Sequence, residues 1–294
     1  PRQKLALIEL FQEDGAILSM VGDGVNDAPA LKKADVGVAM GERGTQVARQ
    51  AGDVVLQDDR FATIVHAIRE GRVIFRNIRS FIIYLLSGNL GEILALGAAS
   101  MMQLPLPLRP LQILFINILL DVFQSLALAL GPETPGTMRR PPRDPTEPIL
   151  PRSAWWAIGG YGALIAVGVL GAFALALGPL GLSTPKAITV SFFAFAFARL
   201  THVFNMRETG STLVTNNVTR NPLVWGALAL CTGLLLTALY VPGLRSVLSI
   251  VDPGAAGWGL IGGAALFPLL VGQSLHAVRH RRASLAETST ASET

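Results

Sequence analysis

The sequence predicts an α/β domain at the front of the chain followed by an all-α polytopic membrane bundle of six helices. Two observations predict it. Helical and strand patterns alternate from Lys4 to about Ala67, whereas after about Ser80 the chain is mostly apolar segments of roughly 20 residues, the length that crosses a bilayer. The 294 residues are 51% hydrophobic and 15% charged, with a mean hydropathy of +0.48, too apolar for one soluble domain of that size. The predicted division is residues 1–70 and residues 71–294.

The elements follow in order. Leu5, Leu7, Ile8, Leu10 and Phe11 suggest a helix packed on a sheet. Ala16 to Val21 is a short apolar run that stops at Gly22-Asp23-Gly24, and Pro29 falls early in the next helix, where a missing N–H is harmless. Asp35 to Met40 and Asp53 to Leu56 read as two more strands with a helix between them, giving parallel, buried strands.

Gly71 to Met102 reads as one long helix. Arg72, Arg76 and Arg79 share one face at its start, where the chain is expected to meet lipid headgroups, and the remainder is apolar enough to enter the bilayer. Five further spans are expected near Leu111 to Leu130, Ala154 to Leu177, Ala187 to Met206, Leu223 to Val241 and Trp258 to Val278. With a cytoplasmic head, the cytoplasmic loops hold Arg139, Arg140, Arg143, Arg152, Arg207, Arg220, Arg279, Arg281 and Arg282. The opposite loops hold only Arg109, Lys186 and Arg245, so the positive-inside rule agrees with a cytoplasmic head and tail. Gly160, Gly168 and Gly171 either allow close helix packing or face lipid. The Ser- and Thr-rich tail after Arg282 is expected to be disordered.

The net charge of +4 does not indicate nucleic acid, because the arginines gather in alternate loops and at helix ends. Cys231 lies in an apolar span and forms no disulfide within the chain. A start at Pro1 and the lack of a signal peptide suggest a fragment cut inside a domain.

Two groups of residues suggest chemistry. The loop Gly22-Asp23-Gly24-Val25-Asn26-Asp27 places two carboxylates and an amide at the carboxyl end of a strand, where open α/β sheets bind ligands. Such oxygen ligands suit Mg²⁺; an Asx-Gly turn with solvated acids is the alternative. In the membrane, Asn89 and Glu92 share a helix face, and Asn117 and Asp121 share one in the next span. Two carboxylates and two amides at membrane depth favour Ca²⁺, Na⁺, K⁺ or protons over soft metals, with interhelical hydrogen bonding as the alternative for each residue.

The run MVGDGVNDAPALKKADVGVAMG closely resembles the hinge motif of P-type cation-transporting ATPases, within the haloacid dehalogenase superfamily. The likeness continues through AGDVVLQDDRFATIVHAIREGRVIFRNI, Asn89-Leu90-Gly91-Glu92 and RRPPRDPTEPIL, so it covers about half the chain strongly and the last four spans by pattern alone. It implies Asp23 as a Mg²⁺ ligand, with Asn26 and Asp27 at the phosphate and the metal's surroundings. Lys4 matches the family's phosphate-contacting lysine. The family's DKTGT nucleophile, TGE loop and nucleotide-binding domain do not occur in these residues. By this resemblance the chain alone neither binds ATP well nor is phosphorylated, and its partners are membrane lipid, the transported cation and the N-terminal part of the same pump.

The likeness is closest to type II, calcium-transporting pumps of the cell membrane, whose ion ligands correspond to Asn89, Glu92, Asn117 and Asp121. Two positions depart. Leu120 replaces a hydroxyl ligand, and Arg199 aligns where two-site pumps have an acid or amide on the eighth helix. Either one ion site is lost and Arg199 is an internal counter-ion to Glu92 or Asp121, or Arg199 snorkels to the cytoplasmic end. A proton or monovalent-cation pump, a membrane-anchored phosphatase and a non-catalytic membrane subunit are the rival readings.

Overall fold

A computed structural model describes residues 2–134, 136–144, 146–208, 211–212 and 214–291, with side chains described except at 276 and 278–291. Contacts divide the chain into two units, Pro1–Arg72 and Val73–Thr294.

In the first unit, helix α1 (Arg2–Glu13) precedes strand β1 (Ser19–Gly22), a 3₁₀ turn at Val25–Asp27 and helix α2 (Ala28–Lys33). Strand β2 (Val36–Met40), helix α3 (Gln46–Ala51) and strand β3 (Val54–Leu56) complete it. The strands form a parallel sheet in the order β1-β2-β3, with Ser19 beside Val36 and Val38 beside Val54. Helical crossovers make that parallel pairing possible. The central strand β2 is buried beyond its first residue, but β1 and β3 are partly exposed, contrary to the expectation of fully buried strands. Each is an edge of a three-stranded sheet, so only β2 is flanked on both sides. Along α1 only Ile8 is buried, packing with Ala30 and Ala34, while Leu7, Leu10 and Phe11 are exposed.

Helix α4 (Phe61–Met101) begins ten residues before the expected Gly71. It is followed by helix α5 (Pro110–Phe115), a π-helical turn at Ile116–Leu120 and helix α6 (Asp121–Ala129) within one continuous span. Next come α7 (Arg152–Leu177), α8 (Thr184–His202) with a 3₁₀ turn at Val203–Met206, α9 (Pro222–Tyr240), short α10 (Pro242–Val247) and α11 (Gly254–Ala291). Six helices are long and apolar enough to cross a membrane among the described residues. The protein is a multi-pass membrane protein. The backbone of α11 continues through Ala291 where a disordered tail was expected after Arg282; extending an existing helix through Ala-Ser-Leu-Ala-Glu needs no new nucleus. Residues 292–294 of that tail lie outside the described residues.

Helix α8 is the centre of the second unit. It is buried on nearly every side: Ala187, Val190, Phe192, Phe193, Ala194, Phe195 and Ala196 are buried, and so are its polar residues Arg199 and His202. It packs against α7 and α11, and Phe192 and Phe193 join Phe115, Ile165, Leu235 and Ile261 in the main core. Close helix approach occurs at Gly91 and Gly162, where an added Cβ would lie 3.0 Å from Ile165 and 3.1 Å from Leu90 respectively. Of the glycines singled out by pattern, Gly168 has Ala264 O at 3.2 Å from such a Cβ, whereas Gly160 and Gly171 have nothing within 4 Å among the described residues.

Candidate functional sites

The first site is the loop that leaves β1. The chain turns at Gly22-Asp23-Gly24 because Asp27 folds back under it: Asp27 Oδ2 accepts from the backbone N–H of Asp23 at 3.3 Å and of Gly24 at 3.4 Å. A Cβ on Gly22 would lie 2.6 Å from Asp27 Cβ, so this close approach requires glycine. The other oxygen, Oδ1, accepts from Lys4 Nζ at 2.7 Å. The Lys4 hydrogen bond, helped by the amides of Gly24 and Asp23, holds the Asp27 carboxyl below its ordinary value.

Asp27 is buried with both oxygens engaged, while Asp23 and Asn26 are exposed. The structure therefore brings Lys4 and Asp27 together and places Asp23 and Asn26 at the surface of the same turn. No cluster of three or more His, Cys, Asp or Glu fit to hold a metal occurs among the described residues. The loop offers Mg²⁺ hard oxygens from Asp23, with Asn26 beside it, and that donor chemistry fits the ion as part of a larger coordination shell.

The second site lies between α4, the π-turn, α6 and α8. The span that begins at Pro110 widens to a π-turn at Ile116–Leu120, a feature frequent at functional sites, and this turn carries Asn117. All four residues expected to face a cation surround one guanidinium, that of Arg199. Its Nη2 lies 2.5 Å from Asp121 Oδ2 and donates to Asn89 Oδ1 at 3.2 Å; its Nη1 lies 3.8 Å from Glu92 Oε2 and donates to Asn117 Oδ1 at 3.3 Å. Arg199 is 1% exposed, so its head is buried in the cluster and does not snorkel. Asp121 Oδ1, Glu92 Oε2 and Arg199 Nε have no hydrogen-bond partner among the described residues. Leu120, the other departure, is buried and apolar.

One turn further along α8 is a polar network that the sequence reading missed. Ser87 Oγ donates to Ile83 O at 2.7 Å and lies 2.9 Å from His202 Nε2, and Asn205 Nδ2 lies 3.2 Å from His202 Nδ1. An imidazole protonated on Nε2 satisfies both nitrogens. The ring also packs on Tyr84 and Tyr161. Asn205 continues to Pro268 O at 3.1 Å and to Gln273, which accepts from Arg207 at 2.8 Å. The available signal was the position of His202, three residues after Arg199 and thus on its helix face.

Arg76 and Arg79 of the long helix, expected at lipid headgroups, meet protein. Arg76 pairs with Glu208 at 3.1 Å and bonds to Thr134, and Arg79 pairs with Glu147 at 3.0 Å and donates to Ile149 O at 2.8 Å. The returning loops bring these carboxylates and carbonyls to the helix, and a guanidinium meets them through several N–H groups at once. Asn77, on the same helix, donates to Gly131 O at 2.7 Å and Ala129 O at 3.3 Å, capping the end of α6.

Residues 105–278, more than half of the chain, match the family "Cation transporting ATPase, C-terminus". The chain belongs to this family. Relatives extend the match toward the amino end. A calcium-transporting ATPase of Bacillus subtilis is 40% identical over 277 residues, covering 94% of this chain and 31% of the relative. The human calcium-transporting ATPase type 2C member 2 is 36% identical over 256 residues, covering 87% and 27% respectively. A P-type sodium-transporting ATPase4 of Toxoplasma gondii is 48% identical over 159 residues, 54% of this chain and 12% of that protein. The chain thus spans about a third or less of the length of these cation-transporting ATPase relatives.

Proposed function

We propose that this chain supplies part of the phosphorylation domain and six membrane helices of an ATP-driven cation pump, with Ca²⁺ as the cation. Its α/β unit then belongs to a haloacid-dehalogenase-like domain in which Asp23 holds Mg²⁺ while Lys4 and Asn26 face the transferred phosphate. Asp27 fixes the turn and Lys4, consistent with its engaged oxygens. Bound Mg²⁺ would neutralise phosphate charge there. The exposed Leu7, Leu10 and Phe11 on α1 support the N-terminal part of the pump as the partner that covers this face. The pump sits in the cell membrane with its head and tail in the cytoplasm.

The observation that carries the reading is the convergence of Asn89, Glu92, Asn117 and Asp121 on one buried point. Acids this deep in a membrane bundle are retained for transport more readily than for packing. Arg199 at their centre acts as a tethered counter-ion, so the cluster binds fewer cations than a two-ion site. Phosphoenzyme assays on the intact pump test both sites. Asp23→Ala should abolish turnover linked to phosphorylation, whereas Glu92→Gln should keep phosphorylation by inorganic phosphate and lose its dependence on cation. Equal cation dependence in Glu92→Gln and wild type would overturn the assignment.

A monovalent-cation or proton pump is the second reading. It is favoured by the guanidinium already opposing both carboxylates, which leaves little uncompensated negative charge for a divalent ion.

A further inference from the structure

The guanidinium of Arg199 lies where a side chain at position 88 would be. A Cβ built on Gly88 would run into Arg199 Nη2 and fall 2.5 Å from both Cζ and Nε, and separations under 3.0 Å are not sustained by real Cβ atoms. Its three nearest atoms all belong to the guanidinium. At Gly91 and Gly162, by contrast, the atoms met are aliphatic side chains and backbone of the facing helix, as expected for ordinary close helix packing. Gly88 therefore faces one charged group in particular.

That group has little freedom to yield. Its two terminal nitrogens are held by Asp121 and Asn89 on one side and Asn117 on the other, and Cζ lies 5.5 Å from the Phe195 ring centroid. Moving the head away from position 88 disturbs these contacts together. We propose that Gly88 is a positioning and specificity-determining residue: its missing side chain forms the bay that seats the Arg199 guanidinium among Asn89, Glu92, Asn117 and Asp121. The size of residue 88 then sets how much of the cluster is open to a cation. The seating of Arg199 stands on geometry, and its effect on cations rests on the transport reading above.

A double-mutant cycle tests it, using purified protein in lipid nanodiscs: wild type, Gly88→Ala, Arg199→Gln and the double variant. The first readout is the melting temperature. Gly88→Ala should lower it in the wild-type background but leave it unchanged or raise it beside Arg199→Gln, because alanine favours a helix interior once nothing is displaced. An equal loss in both backgrounds overturns the proposal. If Gly88→Ala does not fold, rescue of folding by Arg199→Gln supports the seating and failure of rescue overturns it.

The second readout is Ca²⁺ affinity, which a purely structural glycine would not move. Gly88→Ala should raise it by about threefold or more with Arg199 present and change it less than about twofold in the Arg199→Gln background, the non-additivity of coupled neighbours. No change with Arg199 present overturns the specificity role. Absence of Ca²⁺ binding in all four proteins would overturn the cation reading, while the melting cycle still decides the seating of Arg199 by Gly88.

Discussion

The loop site and the membrane cluster both use carboxylates and amides, yet they neutralise charge in opposite ways. In the loop, Lys4 bonds the buried Asp27 at 2.7 Å with help from two backbone amides, while Asp23 and the head of Lys4 remain exposed to solvent. In the membrane, Glu92 and Asp121 face a single buried guanidinium. Water stabilises a lone charge at the first site, but the second must supply a counter-charge from its own side chains. The same residue types thus draw partly on solvent in one place and depend wholly on one another in the other.

The largest effect that separates the two regions is expected at Arg199. Arg199→Ala leaves two buried carboxylates without their partner and should destabilise the second unit by about 3–5 kcal/mol, read by thermal unfolding in detergent. A loss below about 1 kcal/mol would place the charge balance elsewhere. Next is Asn77→Ala, which strips the carbonyls of Gly131 and Ala129 of their donor and should cost about 1–3 kcal/mol by the same measurement.

Smaller changes belong to the first unit. The Asp27 carboxyl is held below its ordinary value of 3.8, so its contribution to stability is fully present above that value and is lost as pH falls through the lower folded one. Melting temperatures recorded from pH 6 downward should fall in the wild type and fall less in Lys4→Met. Parallel curves would mean that Lys4 does not hold Asp27. Smallest of all, the Lys33 and Glu9 pair is 4.0 Å apart and half-exposed, and Lys33→Ala should change stability by less than about 0.5 kcal/mol.

Much of this contrast was legible in the sequence. The run ending at Gly22, the parallel strands and the apolar spans follow from local pattern, and Asn89, Glu92, Asn117 and Asp121 stood out because acids and amides in apolar spans are few. What pattern alone left open was tertiary. Whether Arg199 entered the cluster or left it depended on contacts with three other segments of the chain, and Glu147 and Glu208, the partners of Arg79 and Arg76, lie on distant loops. The spacing of Arg72, Arg76 and Arg79 showed a shared face without showing what that face meets. Gly88 gave no signal at all, since a glycine in an apolar helix reads first as helix packing and its neighbour is a side chain 111 positions away in the sequence.

Under the proposed transport function, Arg199 occupies, as a fixed cation, room that a second transported ion would need. The most direct measurement is the number of Ca²⁺ ions moved per ATP hydrolysed by the intact pump reconstituted in vesicles. One ion per ATP is the expected result, and two would show that Arg199 does not take the place of an ion.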